Sequence, residues 1–235
     1  MDGNGSIDLL DLRGEVAARI RPYVHSSGAP RLEDQSRAFL QQLRWPAGVE
    51  CPRCGEHVRL LRLESRGKWN CYRCRYQFSV TAGTLFHRSH LPIWKWLAAV
   101  HLMLDSPEGV SAGEMCRQIG GSYKTAWFAA HRIRVAMRSH GGGLHAGASP
   151  GRRGVLAGGS ERGPAAVIRL ERPLAPVRGI DAGPHHHLSA KHLLAYLDER
   201  RWRAANRGNP HVFRDTVAAL LGGESVSYGR LVAER

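Results

Sequence analysis

A small α+β protein is predicted by three features of the chain. These are two close cysteine pairs, a run of helical periodicity with start and stop signals, and a Gly/Pro/Arg-rich stretch that carries neither. The pairs are Cys51-Pro52-Arg53-Cys54 and Cys71-Tyr72-Arg73-Cys74, separated by sixteen residues. Two C-x2-C turns at this spacing bring four thiolates to one tetrahedral ion. They read as a structural Zn2+ site with no coordination position left open for chemistry. Disulfides are the competing reading. The odd fifth cysteine, Cys116, and the lack of a secretory pattern over Met1 to Ile7 weigh against them.

Residues 1–32 read as a loosely ordered extension. A leading helix is expected within 33–48, with Phe39, Leu40, Leu43 and Trp45 as its apolar content and Pro46 as its stop. The zinc module then spans 49–84. Val58, Leu60, Leu61 and Leu63 suggest one short strand; Trp69, Phe78 and Val80 suggest its partners, and Gly67 sits in the turn between. A small sheet pinned by one metal is a zinc ribbon, and a module this small needs the metal to order the chain.

Residues 85–138 read as helical. Pro92 suits a first turn, and Trp94, Leu97, Ala98, His101, Leu102 and Leu104 follow at helical spacing. Ser111-Ala112-Gly113-Glu114 has the form of a capping box that opens a short helix ending at Gly120-Gly121. Ser122 can cap the next helix, where Ala126, Ala130, Ile133 and Met137 make a buried stripe. A short capped helix, a glycine turn and a basic second helix look like a helix-turn-helix. On that reading Ser122, Tyr123, Lys124 and Thr125 face base edges, and Arg132 and Arg134 lie on the outer face holding phosphates.

Residues 139–184 hold eleven Gly, five Pro and six Arg, with no Lys and no aromatic. Little there can bury a core, and a disordered linker is expected. Helical spacing returns in 185–235, around Leu193, Leu194, Tyr196 and Leu197 and again around Phe213, Val217, Leu220 and Leu221. The formal net charge is +14. Residues 1–50 contribute −1, residues 51–138 contribute +9 and residues 139–235 contribute +6. A basic half of this kind favours a polyanion, most simply nucleic acid. No apolar run is long enough to span a membrane.

The residues also carry a family likeness. Trp45-Pro46, Cys51-Pro52-Arg53-Cys54-Gly55 and the run from Cys71 to Thr84 resemble the zinc-ribbon start of bacterial insertion-sequence transposases. Leu91-Pro92 with Trp94-Lys95-Trp96 continues the likeness. So do Ser122 to Trp127, His131-Arg132-Ile133-Arg134 and Ala136-Met137. A second block, from Arg178-Gly179-Ile180 through His186, His187, Lys191-His192, Tyr196, Glu199 and Asn206-Arg207, resembles the last part of that family's catalytic domain. The resemblance implies double-stranded DNA as the partner, in particular an element's terminal repeats. It also implies a bacterial cytoplasmic, nucleoid-associated setting, and it leaves self-association open.

Between the two blocks the family has a ribonuclease-H-like domain. There a DDE set of carboxylates holds two divalent ions such as Mg2+ for strand cleavage and transfer. This chain has no carboxylate between Arg138 and Glu161, and too few residues for such a sheet. Glu161, Glu171 and Asp181 read as solvated linker carboxylates, so no catalytic residue is assigned. The composition there resembles out-of-frame translation of GC-rich DNA. The expected function is therefore DNA recognition for transposition with a defective catalytic core. An active transposase, and a zinc-ribbon adaptor or transcriptional regulator, stand as alternatives.

Overall fold

The computed structural model describes residues 30–106, 109–140 and 192–233. Of the expected extension 1–32 and linker 139–184, residues 1–29 and 141–184 lie outside these residues, as do Glu161, Glu171, Asp181, His186 and His187, whereas 30–32 and 139–140 belong to helices. The architecture is small α+β, as the sequence predicts. Helix α1 is Pro30–Arg44, followed by strands β1 (Leu60–Leu63), β2 (Lys68–Cys71) and β3 (Gln77–Phe78). Then come α2 (Ile93–Asp105), α3 (Ala112–Ile119), α4 (Tyr123–His140), α5 (Leu193–Ala205), α6 (Val212–Gly222) and α7 (Tyr228–Ala233).

The strands form one antiparallel sheet in the order β1-β2-β3. Leu60 pairs with Cys71 and Leu63 with Lys68, so Gly67, at φ 55°, makes the turn after a short 3-10 segment, Glu64–Arg66. Trp69 pairs with Phe78. Phe78 is buried and meets Trp45 edge-on at 6.0 Å, which joins the sheet to the end of α1. Arg44 completes this joint by donating to the Ala82 carbonyl at 2.9 Å and to the Val80 carbonyl. Burial pulls its pKa down to about 10, so it still carries its charge at neutral pH.

The helices share a separate, larger core. Phe39 and Leu40 of α1, Trp96, Val100 and Met103 of α2, Met115 and Ile119 of α3, and Ile133 and Met137 of α4 are all buried in it. So are Trp202 of α5, Phe213, Val217 and Leu220 of α6, and Leu231 of α7. The segment 185–235, set apart on sequence grounds, thus contributes helices that pack into the same interior as α2–α4. Gly223 marks how closely the two parts meet: a Cβ there would lie 2.6 Å from Leu85 Cδ1. The adjacent Leu85 N–H donates to the Leu220 carbonyl at 3.1 Å.

Local signals explain the helix boundaries. Ser111 Oγ accepts the Glu114 N–H at 3.1 Å. The reciprocal half of the expected capping box is replaced, because the Glu114 carboxylate accepts from Gln118 Nε2 at 2.8 Å and from Arg117. Helix α2 has no side-chain cap of its own at Pro92. Glu33 supplies one from α1, its Oε2 accepting the Trp94 N–H at 3.3 Å. Gly120 and Gly121 have φ of 70° and 101°, in the left-handed range that lets α3 turn sharply into α4. Cys116 Sγ donates to the Gly121 carbonyl at 3.2 Å, so this thiol holds the turn.

Candidate metal centre and nucleic-acid interface

The two cysteine pairs occupy two turns of the same design. In the first, the Cys51 N–H donates to the Glu56 carbonyl at 2.8 Å; in the second, the Cys71 N–H donates to the Tyr76 carbonyl at 3.0 Å. Each turn needs a left-handed residue just after its second cysteine. Gly55 fills that place at φ 71° and Arg75 at φ 55°. An L side chain there carries a strain of about 1–2 kcal/mol that glycine avoids, against glycine's extra entropy loss of about 0.5–1 kcal/mol. Arg75→Gly should therefore stabilise the ribbon by roughly 1 kcal/mol or less, read as a higher melting midpoint of the zinc-loaded protein. A lowered midpoint would show that the Arg75 side chain contributes more than its backbone strain costs. Glu56 steadies the first turn, its Oε1 accepting the N–H groups of Val58 at 3.0 Å and Arg59 at 3.3 Å. These two donors hold its carboxyl below the usual range.

The four ligand sulfurs all lie within 4.8 Å of one another. Cys51 Sγ is 3.7 Å from Cys74 Sγ, and Cys54 Sγ is 3.6 Å from Cys71 Sγ. A tetrahedral ion with Zn–S bonds of about 2.3 Å puts neighbouring sulfurs roughly 3.8 Å apart, so the set fits Zn2+. The same separations are far above a disulfide bond of about 2.04 Å, and all five cysteines are free. Cys51 and Cys71 are buried and Cys54 and Cys74 half-buried, so the set is closed on its inner side.

The thiols differ in how readily they ionise. For Cys71, burial opposes ionisation, but the Cys74 N–H, the Cys54 thiol and the Arg73 N–H together draw its pKa down to about 7. For Cys54, the Glu56 N–H favours the thiolate. Burial and the neighbouring Cys74, Cys71 and Cys51 sulfurs outweigh it and push the pKa up to about 12. Cys71 ionises easily while Cys54 resists, whereas a bound divalent ion deprotonates its thiol ligands outright.

The second feature is the first turn of α4. Ser122 Oγ accepts the Thr125 N–H at 3.1 Å and lies 2.9 Å from Thr125 Oγ1, so these two hydroxyls cap the helix together. Ser122 and Lys124 are exposed, Tyr123 is 61% exposed and Thr125 is half-buried. The structure brings these four expected residues to one place at the end of the glycine turn.

Arg132 and Arg134 are not there. Expected on the outer face, they are only 3% and 2% exposed. Helices α5–α7 cover the flank of α4 that a single apolar stripe would leave open. Arg132 Nη1 donates to the carbonyls of Leu85 and His87, both at 2.8 Å, and its Nε and Nη2 donate to the Val226 carbonyl. Arg134 Nε donates to Glu199 Oε2 at 2.7 Å, and Arg203 donates to the other oxygen of the same carboxylate. Both arginines therefore hold the fold together. Beside them His131 is buried against Trp127, with ring centroids 4.0 Å apart. Burial, with Arg134 and His192 nearby, draws its pKa down to about 3 and keeps it neutral at physiological pH.

With Arg44, Arg132, Arg134 and Arg203 drawn inward, the outward charge is narrower than the net total suggests. On the ribbon Arg53, Arg59, Arg62, Arg66, Lys68, Arg73 and Arg75 stay exposed, with Tyr72 among them at 61%. In the sequence, basic residues alternate with the ligand positions around each cysteine, and the fold turns them outward.

Fold and site together define a zinc-ribbon protein with an appended helical domain. Residues 32–77 match the family described as the transposase zinc-ribbon domain. The chain is also 28% identical over 107 residues to an "Uncharacterized protein in transposable element ISH50" of Halobacterium salinarum. That match covers 45% of this chain and 36% of the relative, so the chain spans about a third of that protein's length. No solved structure matches. Both likenesses bear out the resemblance to insertion-sequence transposases. No helix among the described residues is long and apolar enough to cross a membrane.

Proposed function

We propose that this chain is a transposase-related protein that binds double-stranded DNA at insertion-sequence ends and lacks strand-cleaving activity. The observation that carries the reading is the first turn of α4. There Ser122, Tyr123, Lys124 and Thr125 stand together, capped and largely solvent-facing, after a left-handed glycine turn from α3. Helix α3, the turn and α4 act as a helix-turn-helix, with the N-terminal residues of α4 entering the major groove. The zinc ribbon fixes the helical unit's approach and adds its exposed Arg and Lys side chains as phosphate contacts. The matched transposase ribbon supports DNA as the polyanion, and the target is the terminal repeats of an element. Loss of cleavage is supported by the sequence between Arg138 and Glu161, which offers no carboxylate for a two-metal site.

Gel retention with the zinc-loaded chain tests this. Duplex binding should weaken steeply as salt rises, because displaced phosphate counterions drive it. Lys124→Ala should lower affinity for a selected site by about 1–3 kcal/mol and relax its sequence preference if Lys124 reads a base edge. Nicked product in Mg2+ would reinstate an active transposase. Retention that ignores salt, or is missing, would favour a ribbon adaptor for proteins.

A further inference from the structure

We infer that Tyr228 is a positioning residue for Lys124, so that the C-terminal helix α7 forms part of the DNA-facing surface. This rests on the reading that the first turn of α4 meets DNA. Lys124 Nζ lies 4.6 Å from the centroid of the Tyr228 ring. The two residues are about a hundred positions apart in sequence, and the fold alone brings them together. The ring is itself fixed, edge-on to Trp127 at 5.7 Å and to Phe128 at 5.9 Å. It remains 42% exposed, so its position is set by the protein while part of its surface faces solvent.

The mounting of α7 reaches back to α4 by a second route. Arg132 Nη2 donates to the Val226 carbonyl at 2.8 Å, two residues before Tyr228. Leu231, three residues after it, is buried in the helical core. Tyr228 thus stands on an anchored turn.

A lysine is a strongly hydrated point charge on a flexible four-carbon stem. Free in solvent, it would lose much of that freedom on meeting one base edge or phosphate. The negative face of an aromatic ring attracts the ammonium and narrows the positions it samples. Only the ring is needed for this, not the phenol hydroxyl. Tyr123, exposed one residue before Lys124, flanks the pair on α4.

The test uses the full zinc-loaded chain and a duplex recovered from a random-sequence pool, with a scrambled duplex as control. Binding is read by fluorescence anisotropy. Tyr228→Leu, which keeps an apolar side chain but removes the π face, should weaken binding roughly two- to fivefold. Tyr228→Phe should bind as the parent does. Lys124→Ala combined with Tyr228→Leu should bind no more weakly than Lys124→Ala alone, because Tyr228 acts through Lys124. In the free protein, NMR should show the Lys124 side-chain methylene protons shifted upfield by the ring. That shift should survive Tyr228→Phe and vanish in Tyr228→Leu.

Additive losses in the double variant, or no upfield shift in the parent, would overturn the inference. So would a loss with Lys124→Ala and none with Tyr228→Leu, an outcome that leaves the DNA reading intact. If neither substitution matters and binding ignores salt, the DNA reading itself fails.

Discussion

Chelating the zinc, or replacing Cys71 by serine, should unfold the ribbon while much of the helical core survives. The ribbon's own buried cluster is Cys51, Cys71, Phe78 and Ala82, so two of its four buried residues are metal ligands. Without the ion its interior is little more than Phe78 with the half-buried Trp45, Leu60, Trp69 and Tyr76 around it. Structural zinc contributes apparent binding free energies on the order of 10 kcal/mol in zinc-finger peptides, more than a sheet this small gains from packing. The parent should hold one zinc per chain by metal analysis. Cys71→Ser should hold much less, expose residues 49–80 to protease and keep most of its far-ultraviolet helix signal. A Cys71→Ser chain with parental zinc content and melting behaviour would sink the assignment. Acid should release the metal too, since each thiolate takes up a proton as the ion leaves.

The ribbon was legible because its constraint is local. Four sulfurs can reach one ion only from two tight turns, and both turns are written in consecutive residues, Cys51 to Gly55 and Cys71 to Arg75. The α3–α4 unit was legible for the same reason: Ser111, Gly120, Gly121 and Ser122 each act within a few residues of themselves. What escaped was every contact whose partner lies far along the chain. Glu33 caps α2 from sixty-one residues away. Arg134 meets its carboxylate sixty-five residues downstream. A pattern of apolar residues at helical spacing marks one buried stripe on α4 and is silent about a second face covered by later helices. A buried arginine and a DNA-contacting arginine look alike in sequence. Only the distant acceptors, Glu199 for Arg134 and the backbone carbonyls for Arg132, separate the two cases. Glu199 lies in the C-terminal block, and no local rule pairs it with Arg134.

That carboxylate carries the second large effect expected. Glu199 is 3% exposed and holds two guanidinium groups, from Arg134 on its neighbour α4 and from Arg203 on its own helix. Arg203 in turn donates to the Met103 and Ser106 carbonyls at the end of α2, so the network ties α2, α4 and α5 together. Arg134 also lies over the Tyr196 ring at 3.9 Å, which keeps it in place even when its partner is lost. Glu199→Ala would leave the buried Arg134 and the half-buried Arg203 without their counter-charge, and breaking a buried pair in this way costs about 3–5 kcal/mol. The urea midpoint should fall accordingly, with α5 pulling away from α4 first, seen as faster amide exchange in residues 193–205. Glu199→Gln keeps the shape and one acceptor oxygen and should lose less. Replacing Arg134, Glu199 and Arg203 together by apolar residues of similar volume should recover much of the loss, because the desolvation cost of the charges disappears with them. An unchanged midpoint in Glu199→Ala would mean that water reaches this network and that the joint between the C-terminal helices and α4 rests on apolar packing alone.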